Sequence, residues 1–253
     1  MTAAQGDGQL KYQRIADALK AAIASGEYGP GDRLPGENEL MATYQVARMT
    51  ARQALGVLRS EGIAEARKGA GVFVRTFRPI RRHGIQRLAR DGWGTGQSVW
   101  EADVGAGREL VVDSVVVRQE PATEGVASVL GLEPGDPVCV RGRRFVLDGK
   151  PVLLAVSHLP ASLVAGTAIA EEDSGPGGIY ARLAELGQAP AHFREEIRCR
   201  MPTTAEAKQL QLSSGTPVVL VCRTAFTAEG RAVEVNEMTL DASSYILEYD
   251  FDA

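Results

Sequence analysis

Two arginines, Arg48 and Arg52, lie one helical turn apart in the stretch VARMTARQALGVLRSEG. Apolar residues recur beside them at helical spacing, which predicts that the stretch is an amphipathic helix. Like charges at i and i+4 destabilise an isolated helix by about 0.2–0.5 kcal/mol, so we expect an external anion to relieve the repulsion. Because paired guanidinium N–H groups fit phosphate and guanine acceptors, the chemistry that this pair predicts is DNA binding.

The distribution of charge limits where a polyanion can bind. Residues 1–82 contain 13 Lys and Arg against 8 Asp and Glu, and residues 83–253 contain 15 against 24. The formal net charge of -4 therefore hides a basic first third and an acidic remainder. We expect only the N-terminal part to meet nucleic acid.

The elements that would position the two arginines can be read from the surrounding sequence. LKYQRIADALKAAIASGEY has the apolar stripe of a first helix, and LPGENELMATY begins a second helix with a proline and acidic residues. QVAR is long enough only for a tight turn, after which the arginine helix runs to Gly62. The strand-like segment IAEARKGAGVFV, with its glycine-rich apex, completes a winged helix-turn-helix.

The start of the third helix and the tip of the hairpin are the expected DNA-contacting parts. In a helix-turn-helix the first residues of the recognition helix enter the major groove, where the Thr50 hydroxyl can also reach a base or a phosphate. The glycines of the hairpin permit a close approach of the backbone to DNA. The predicted DNA-contacting residues are Asn38, Arg48, Met49, Thr50, Arg52, Gln53, Arg67, Lys68, Gly69 and Gly71.

GDRLPGENELMATYQVARMTARQAL and KGAGVFV resemble the winged-helix domain of GntR-family bacterial transcriptional regulators. The resemblance implies that Arg48, Thr50 and Arg52 are operator-reading residues. Asn38 stands where many members have a phosphate-binding arginine, and Met49 stands where threonine or serine is usual. The operator is therefore expected to differ from the better-known sites of the family.

The C-terminal two thirds predict a mixed, mostly antiparallel sheet. Six strand-like runs begin near residues 109, 137, 151, 191, 217 and 232, and helices are expected at 123–131, 178–187 and 203–211. SVLGLEPGDPVCVRGRRFVLDGKPVLLAVSHL parallels KQLQLSSGTPVVLVCRTAFTAEGRAVEVNEMTL. This internal repeat indicates a pseudo-symmetric sheet with room for a ligand between its halves.

Residues from about 90 to 250 resemble the UTRA effector domain of the HutC subfamily, whose fold is similar to that of chorismate lyase. The matching parts are RGRRFVLDGKPV, GIYARLAELG and AVEVNEMTLDASSYILEY. The resemblance implies that these segments carry the effector-binding residues, although their charges could instead line an exposed sheet face or a dimer interface. Phe145 replaces a second common arginine, and Gly178 replaces the serine of sugar-phosphate sensors, which argues against a phosphorylated sugar. The predicted effector-binding residues are Arg141, Arg143, Phe145, Tyr180, Glu234 and Asn236.

The expected fold class is α+β, with a winged helix-turn-helix domain at 9–76, a linker at 77–96 and a UTRA-like domain at 97–253. No cofactor or metal motif occurs, because the three cysteines form no CxxC pair and the three histidines are far apart. No long apolar run or secretory signal is present, which indicates a cytoplasmic protein without membrane contact.

The whole pattern predicts a homodimeric repressor that binds double-stranded operator DNA and responds to a small-molecule effector of unknown identity. Two alternatives stay open at this point. One is a regulator whose C-terminal domain serves only for dimerisation. The other is a lyase-like enzyme, which no nucleophile motif supports.

Overall fold

The structure is a computed structural model that describes residues 10–76, 79–84, 88, 100, 103–104 and 108–251. The chain divides into two compact units: the first comprises Met1–Arg78 and Ser213–Thr216, and the second comprises Pro79–Leu212 and Pro217–Ala253. Among the described residues, no helix is both long enough and apolar enough to cross a membrane.

The first unit contains three helices: α1 (Lys11–Ala24), α2 (Glu37–Tyr44) and α3 (Arg48–Ser60). Gln45 ends α2 in a left-handed conformation with φ of 51°, so α2 and α3 are joined by a tight turn as predicted. The helices enclose an apolar core that holds the stripe of α3 against α1. Its buried members are Ile15, Ala16, Leu19, Leu34, Leu40, Ala51, Ala54, Leu55, Leu58, Ala64 and Val74.

The wing is an antiparallel hairpin of β1 (Ala64–Arg67) and β2 (Gly71–Val74). Gly69 and Gly71 have φ of 74° and 117°, in the region that glycine tolerates, which explains the glycines at the turn. The segment before α2 lies against β2 on its other side, with Arg33 opposite Phe73. The winged helix-turn-helix prediction is confirmed.

The second unit is built on a six-stranded, fully antiparallel sheet with the order β4-β5-β6-β9-β8-β7. All six strands were predicted. They are β4 (Leu110–Pro121), β5 (Pro137–Leu147), β6 (Lys150–Pro160), β7 (His192–Arg200), β8 (Val218–Phe226) and β9 (Ala232–Asp241).

The internal repeat is visible as a pseudo-twofold relation within this sheet. The hairpins β5-β6 and β8-β9 meet where β6 pairs with β9, and Val156 lies opposite Glu237 at that junction. The sequence repeat aligns these same two residues with each other, so the axis passes between them. The sheet is therefore two similar halves joined edge to edge.

Helices cover both faces of the sheet. On one face, α4 (Glu124–Leu130) packs on apolar residues of β5 and β9. The other face is covered by α5 (Ala161–Val164), a short 3-10 helix (Ala168–Ala170) and α6 (Gly178–Glu185). With α7 (Thr204–Gln209), which lies between β7 and β8, the three predicted helices of this unit are present, and α5 was not foreseen.

The predicted linker at 77–96 differs from the structure. Ile80–His83 forms β3, which pairs in parallel with β10 (Tyr245–Glu248) in the second unit. Ile80 and Arg82 are buried on one side of β3, whereas Arg81 is exposed, so this short segment has the alternation of a half-buried strand. Residues 77–78, 85–87 and 89–96 of the predicted linker lie outside the described residues.

Candidate functional sites

The predicted DNA-contacting residues form a single exposed set on the first unit. Arg48, with its side chain 60% exposed, begins α3, and Arg52, 62% exposed, follows one turn later. Thr50 is half-buried between them, whereas the other predicted residues of the set are exposed. The start of the recognition helix is therefore accessible to a groove of DNA.

The two arginines are held in place by α2. The carboxylate of Glu37 accepts hydrogen bonds from Arg52 Nε at 2.8 Å and Arg52 Nη2 at 3.3 Å, and it lies 3.8 Å from Arg48 Nε. Arg48 Nη2 also donates to Asn38 Oδ1 at 3.1 Å. The sequence led us to expect an external anion to relieve the repulsion, and the structure places an internal carboxylate between the two charges as well.

Glu37 is itself affected by this contact. The hydrogen bond from Arg52 lowers the pKa of Glu37, so its carboxylate is charged at neutral pH. Both arginines keep most of their surface in solvent, which leaves N–H groups free to bind bases. We interpret Glu37 as a brace that sets the direction of the two guanidinium groups.

On the wing, Arg67 is fixed by its neighbours, and Lys68 is exposed at the tip. The Arg67 guanidinium lies 4.3 Å from the centre of the Phe73 ring and forms an ion pair with Glu65 at 3.1 Å. Lys68 and Gly69 are exposed in the turn of the hairpin. The wing therefore presents one ordered and one free positive charge.

The second unit contains a cavity of about 630 Å³, large enough for a small metabolite. Every residue that the sequence predicted as effector-binding lies on its wall. These residues are Arg141, Arg143, Phe145, Tyr180, Glu234 and Asn236. Sheet alternation brings five of them together, because β5 and β9 present these positions to the same face, and α6 contributes Tyr180. Their role in binding stays a prediction.

Arg141 has a structural task in this cavity. Its buried guanidinium donates hydrogen bonds to the backbone carbonyls of Ile169, Glu171 and Glu172, which precede the glycine-rich loop of the cavity. Burial lowers the pKa of Arg141, and the nearby acidic groups act in the opposite direction. Arg141 therefore shapes the loop, and less of it is available to a ligand than the sequence implied.

Arg143 has more of its guanidinium group available to a ligand than Arg141 has. Its Nη2 donates to Ser157 Oγ at 2.6 Å, and its buried Nε has no hydrogen-bond partner in the described part of the chain. Burial lowers the pKa of Arg143 to about 10, and the negative charge of Glu234 opposes that shift. The side chain is still protonated at neutral pH, so it can bind an anion.

Three further buried groups in the cavity lack partners among the described residues. They are Glu234 Oε2, Asn236 Oδ1 and the Nε and Nη1 atoms of Arg223. Each of these three residues is 1% exposed. A buried polar atom without a partner costs about 1–3 kcal/mol, and a charged one costs more. The cavity is thus arranged to receive a ligand that carries both donor and acceptor groups.

Sequence reasoning missed Arg223, although the internal repeat contained the signal. Aligning PVCVRGR with PVVLVCR places Arg143 opposite Arg223, so both arginines occupy equivalent positions in the two halves of the sheet. The aromatic wall formed by Trp100, which packs 4.6 Å from Phe145 between ring centres, was also not predicted.

The glycine-rich loop before α6 completes the cavity. Gly175, Gly177 and Gly178 have φ of 76°, 79° and 65°, and all three line the wall. With no side chains at these positions, the backbone can come close to a ligand at the N-terminus of α6, where the helix dipole favours negative charge. Across the described ranges, no cluster of three His, Cys, Asp or Glu residues is placed to hold a metal ion.

Comparison with known proteins agrees with this geometry. The family described as bacterial regulatory proteins, gntR family, matches residues 11–74, and the UTRA domain matches residues 105–246. An uncharacterised HTH-type transcriptional regulator of Streptomyces coelicolor is 32% identical over 95% of this chain and 92% of its own length. The HTH-type transcriptional repressor NagR of Bacillus subtilis is 29% identical over 88% of this chain and 87% of its own.

A solved structure supports the same assignment over nearly the whole chain. PhnF from Mycobacterium smegmatis is 27% identical, with a TM-score of 0.54 over 94% of this chain and 99% of its own. These relatives are regulators, so the lyase-like alternative has no support among them. The chain belongs to the GntR family of bacterial transcriptional regulators and carries a UTRA domain behind its DNA-binding domain.

Proposed function

We propose that this regulator is a repressor that binds its operator as a homodimer in the cytoplasm and releases it when a small acidic molecule fills the cavity. NagR, a relative over most of the chain, is named a transcriptional repressor. The DNA-reading set is the exposed start of α3 together with the wing, and the effector set lines the cavity of the second unit.

The proposal that an effector regulates DNA binding is supported mainly by the charged side-chain atoms in the cavity that have no hydrogen-bond partner among the described residues. A domain that served only for dimerisation would gain stability by filling this space with apolar side chains. Instead, Glu234 and Arg223 are each 1% exposed and have buried atoms without hydrogen-bond partners among the described residues. Such groups are best explained by a ligand that binds them.

The chain offers a direct connection between the two functions. Only residues 75–79 separate β2 of the wing from β3, which belongs to the sensor unit. An effector that changes the conformation of the second unit can therefore act on the winged helix-turn-helix through a short segment. Thermodynamic linkage requires the converse, so operator DNA weakens effector binding by the same factor.

The DNA-binding half of the proposal is tested by selecting genomic fragments with the purified protein near physiological salt. We expect the wild type to enrich a short inverted repeat. Arg48→Ala and Arg52→Ala should each weaken binding to it by about 1–3 kcal/mol, roughly 5- to 150-fold, because a good arginine–base contact has that value.

Arg198→Ala is the matched control, since Arg198 is an exposed arginine in the acidic unit. It should leave the enriched sequence and its affinity unchanged. Selection of no motif by the wild type, or retention of full affinity by both recognition-helix variants, would contradict the assignment of α3.

A further inference from the structure

We propose that Arg223 forms a second anion-binding subsite, opposite Arg143, and that the effector is therefore a diacid with an acidic group at each end. This inference rests on the proposed function, because it concerns the ligand of the same cavity. It adds a residue that neither the sequence prediction nor the family resemblance assigned, and it names the chemical class of the ligand.

The first step is the position of Arg223 in the sheet. Register pairs Arg141 with Ser157, Ser157 with Asn236, and Asn236 with Arg223, so these residues form one row across four strands. Arg143 lies in the adjacent row on β5. Since β5 and β8 are three strand spacings apart, their backbones are separated by about 14 Å. The two arginines approach the cavity from opposite sides, above a floor of small or polar residues.

The second step is that no hydrogen-bond acceptor among the described residues reaches Nε or Nη1 of Arg223. Its nearest carboxylate oxygen, on Glu195, is 3.9 Å away from Nη1, and the oxygens of Glu195 already accept hydrogen bonds from Arg82 and Tyr249. The centres of the Tyr180 and Trp100 rings lie 5.5 and 5.8 Å from its guanidinium carbon. The faces of these rings attract the cation but supply no hydrogen-bond acceptor to its Nε and Nη1 groups.

The third step is the balance of charge between the two ends. At the first end, Glu234 lies close enough to Arg143 to oppose the fall in its pKa, and Arg141 is occupied by backbone carbonyls. At the second end, Arg82 binds both oxygens of Glu195, and Arg223 makes only the longer ion pair with that carboxylate, so its Nε and Nη1 hydrogens are left without an acceptor among the described residues. A ligand with its whole negative charge in one group would satisfy one end and leave the other unpaired. Two separated carboxylates match the arrangement, and a hydroxyl between them would supply a donor to Asn236 Oδ1.

The experiment measures binding of aliphatic dicarboxylates of four to seven carbons to the full chain by calorimetry. Monocarboxylates of the same lengths and glucose 6-phosphate serve as comparison ligands. We expect at least one dicarboxylate to bind tenfold or more tightly than its matched monocarboxylate and than glucose 6-phosphate. In Arg223→Gln this advantage should disappear, whereas Arg118→Gln, at an exposed arginine of the edge strand β4, should retain it.

A second measurement does not depend on the ligand. Without ligand, Arg223→Gln should raise Tm by about 2–4 °C, since it removes a buried charge that has no acceptor. A purely structural arginine would instead lower Tm when replaced. The proposal is overturned if no dicarboxylate shows the advantage, if Arg223→Gln retains it, or if the variant is less stable than the wild type. In each of these cases, operator binding by the ligand-free protein would still support the proposed regulator.

Discussion

At the scale of single residues, the two arginines that we propose read DNA, Arg48 and Arg52, are positioned by a carboxylate that belongs to another helix. Glu37 bonds Arg52 through both oxygens and lies near Arg48, so it offsets about one unit of positive charge at the reading surface. A brace of this kind reduces non-specific attraction to phosphate while it fixes the geometry needed for bases. The Glu37 side chain would thus increase specificity for the operator at the cost of affinity for DNA in general.

We therefore predict that Glu37→Gln strengthens binding to non-operator DNA several-fold and reduces the ratio of specific to non-specific affinity. Loss of one negative charge beside two arginines adds attraction to phosphate, so the slope of log K against log salt should become steeper by about 1. Salt titrations with operator and scrambled duplexes measure both effects. Glu27→Gln, at an exposed residue in the turn after α1, is the control.

Sequence alone could find the arginine pair but not its brace. The i, i+4 spacing of Arg48 and Arg52 is a local pattern, whereas Glu37 lies 15 residues before Arg52 and meets it only after α2 packs on α3. Arg223, unlike Glu37, could have been predicted, because a residue-by-residue alignment of the internal repeat places it opposite Arg143. Local patterns and repeats can be read in advance, and contacts between unlike segments cannot.

At the scale of elements, a buried ion pair fixes β3 to the sheet of the sensor. Arg82 is 1% exposed and donates to both oxygens of Glu195, on β7. Burial is the largest single effect on the pKa of Arg82 and lowers it, but the hydrogen bond and negative charge of Glu195, together with Tyr249 and Asp103, outweigh burial, so the pKa is raised. Since β3 is the first strand after the DNA-binding unit, this ion pair anchors the segment by which the chain enters the second unit. No pattern in the sequence links positions 113 residues apart.

Breaking this pair should be costly. We predict that Arg82→Met lowers the free energy of unfolding by about 3–5 kcal/mol, because it leaves the buried Glu195 carboxylate without its main partner. Adding Glu195→Leu should restore much of the loss, since the double variant no longer contains the carboxylate that Arg82→Met leaves without its main partner. Denaturant titration measures all three proteins.

Arg81→Met provides the matched comparison on the same strand. Arg81 pairs with Glu248 at 2.7 Å, but its side chain is 59% exposed, so its removal should cost no more than about 1 kcal/mol. If Arg81→Met and Arg82→Met lowered the free energy of unfolding equally, the buried ion pair would not be what anchors β3.

The cap of α7 gives this element a dependence on pH. Glu206 accepts hydrogen bonds from Arg200 at 2.7 and 2.8 Å and from the Thr203 backbone at 2.8 Å. The Arg200 contact is the main cause that lowers the pKa of Glu206 to about 2. A lowered folded-state pKa means that the contact stabilises fully above the ordinary value of 4.5 and is lost as pH falls toward 2.

We predict that Glu206→Gln destabilises the protein by about 1 kcal/mol near pH 6, which is the usual value of a helix cap. The difference from the wild type should shrink steadily as pH falls from about 4.5 toward 2. Unfolding followed at a series of acidic pH values measures it. A difference that stays constant over that range would exclude ionised Glu206 as the source of the stabilisation.

At the scale of the whole molecule, the chain separates its charges by function. The first 82 residues carry an excess of basic groups and the rest an excess of acidic ones, so a protein with net charge -4 can still bind DNA. The fold was predictable at this scale because helical period, strand alternation and the repeat agree with one another. The exceptions were the four-residue helix α5 and β3, a four-residue strand whose parallel partner, β10, lies at the far end of the sequence.

The proposed homodimer is best tested through the operator. A twofold protein reads two half-sites on one side of the duplex, so their spacing must match the helical repeat of about 10.5 base pairs. We predict that inserting 5 base pairs between the half-sites, about half a turn, reduces affinity at least tenfold, toward that of an isolated half-site. The stoichiometry measured on the unaltered operator should be two chains per duplex. Equal affinity for both spacings would mean that each winged helix binds independently, and the effector would then have to act on single DNA-binding domains rather than on the geometry of a pair.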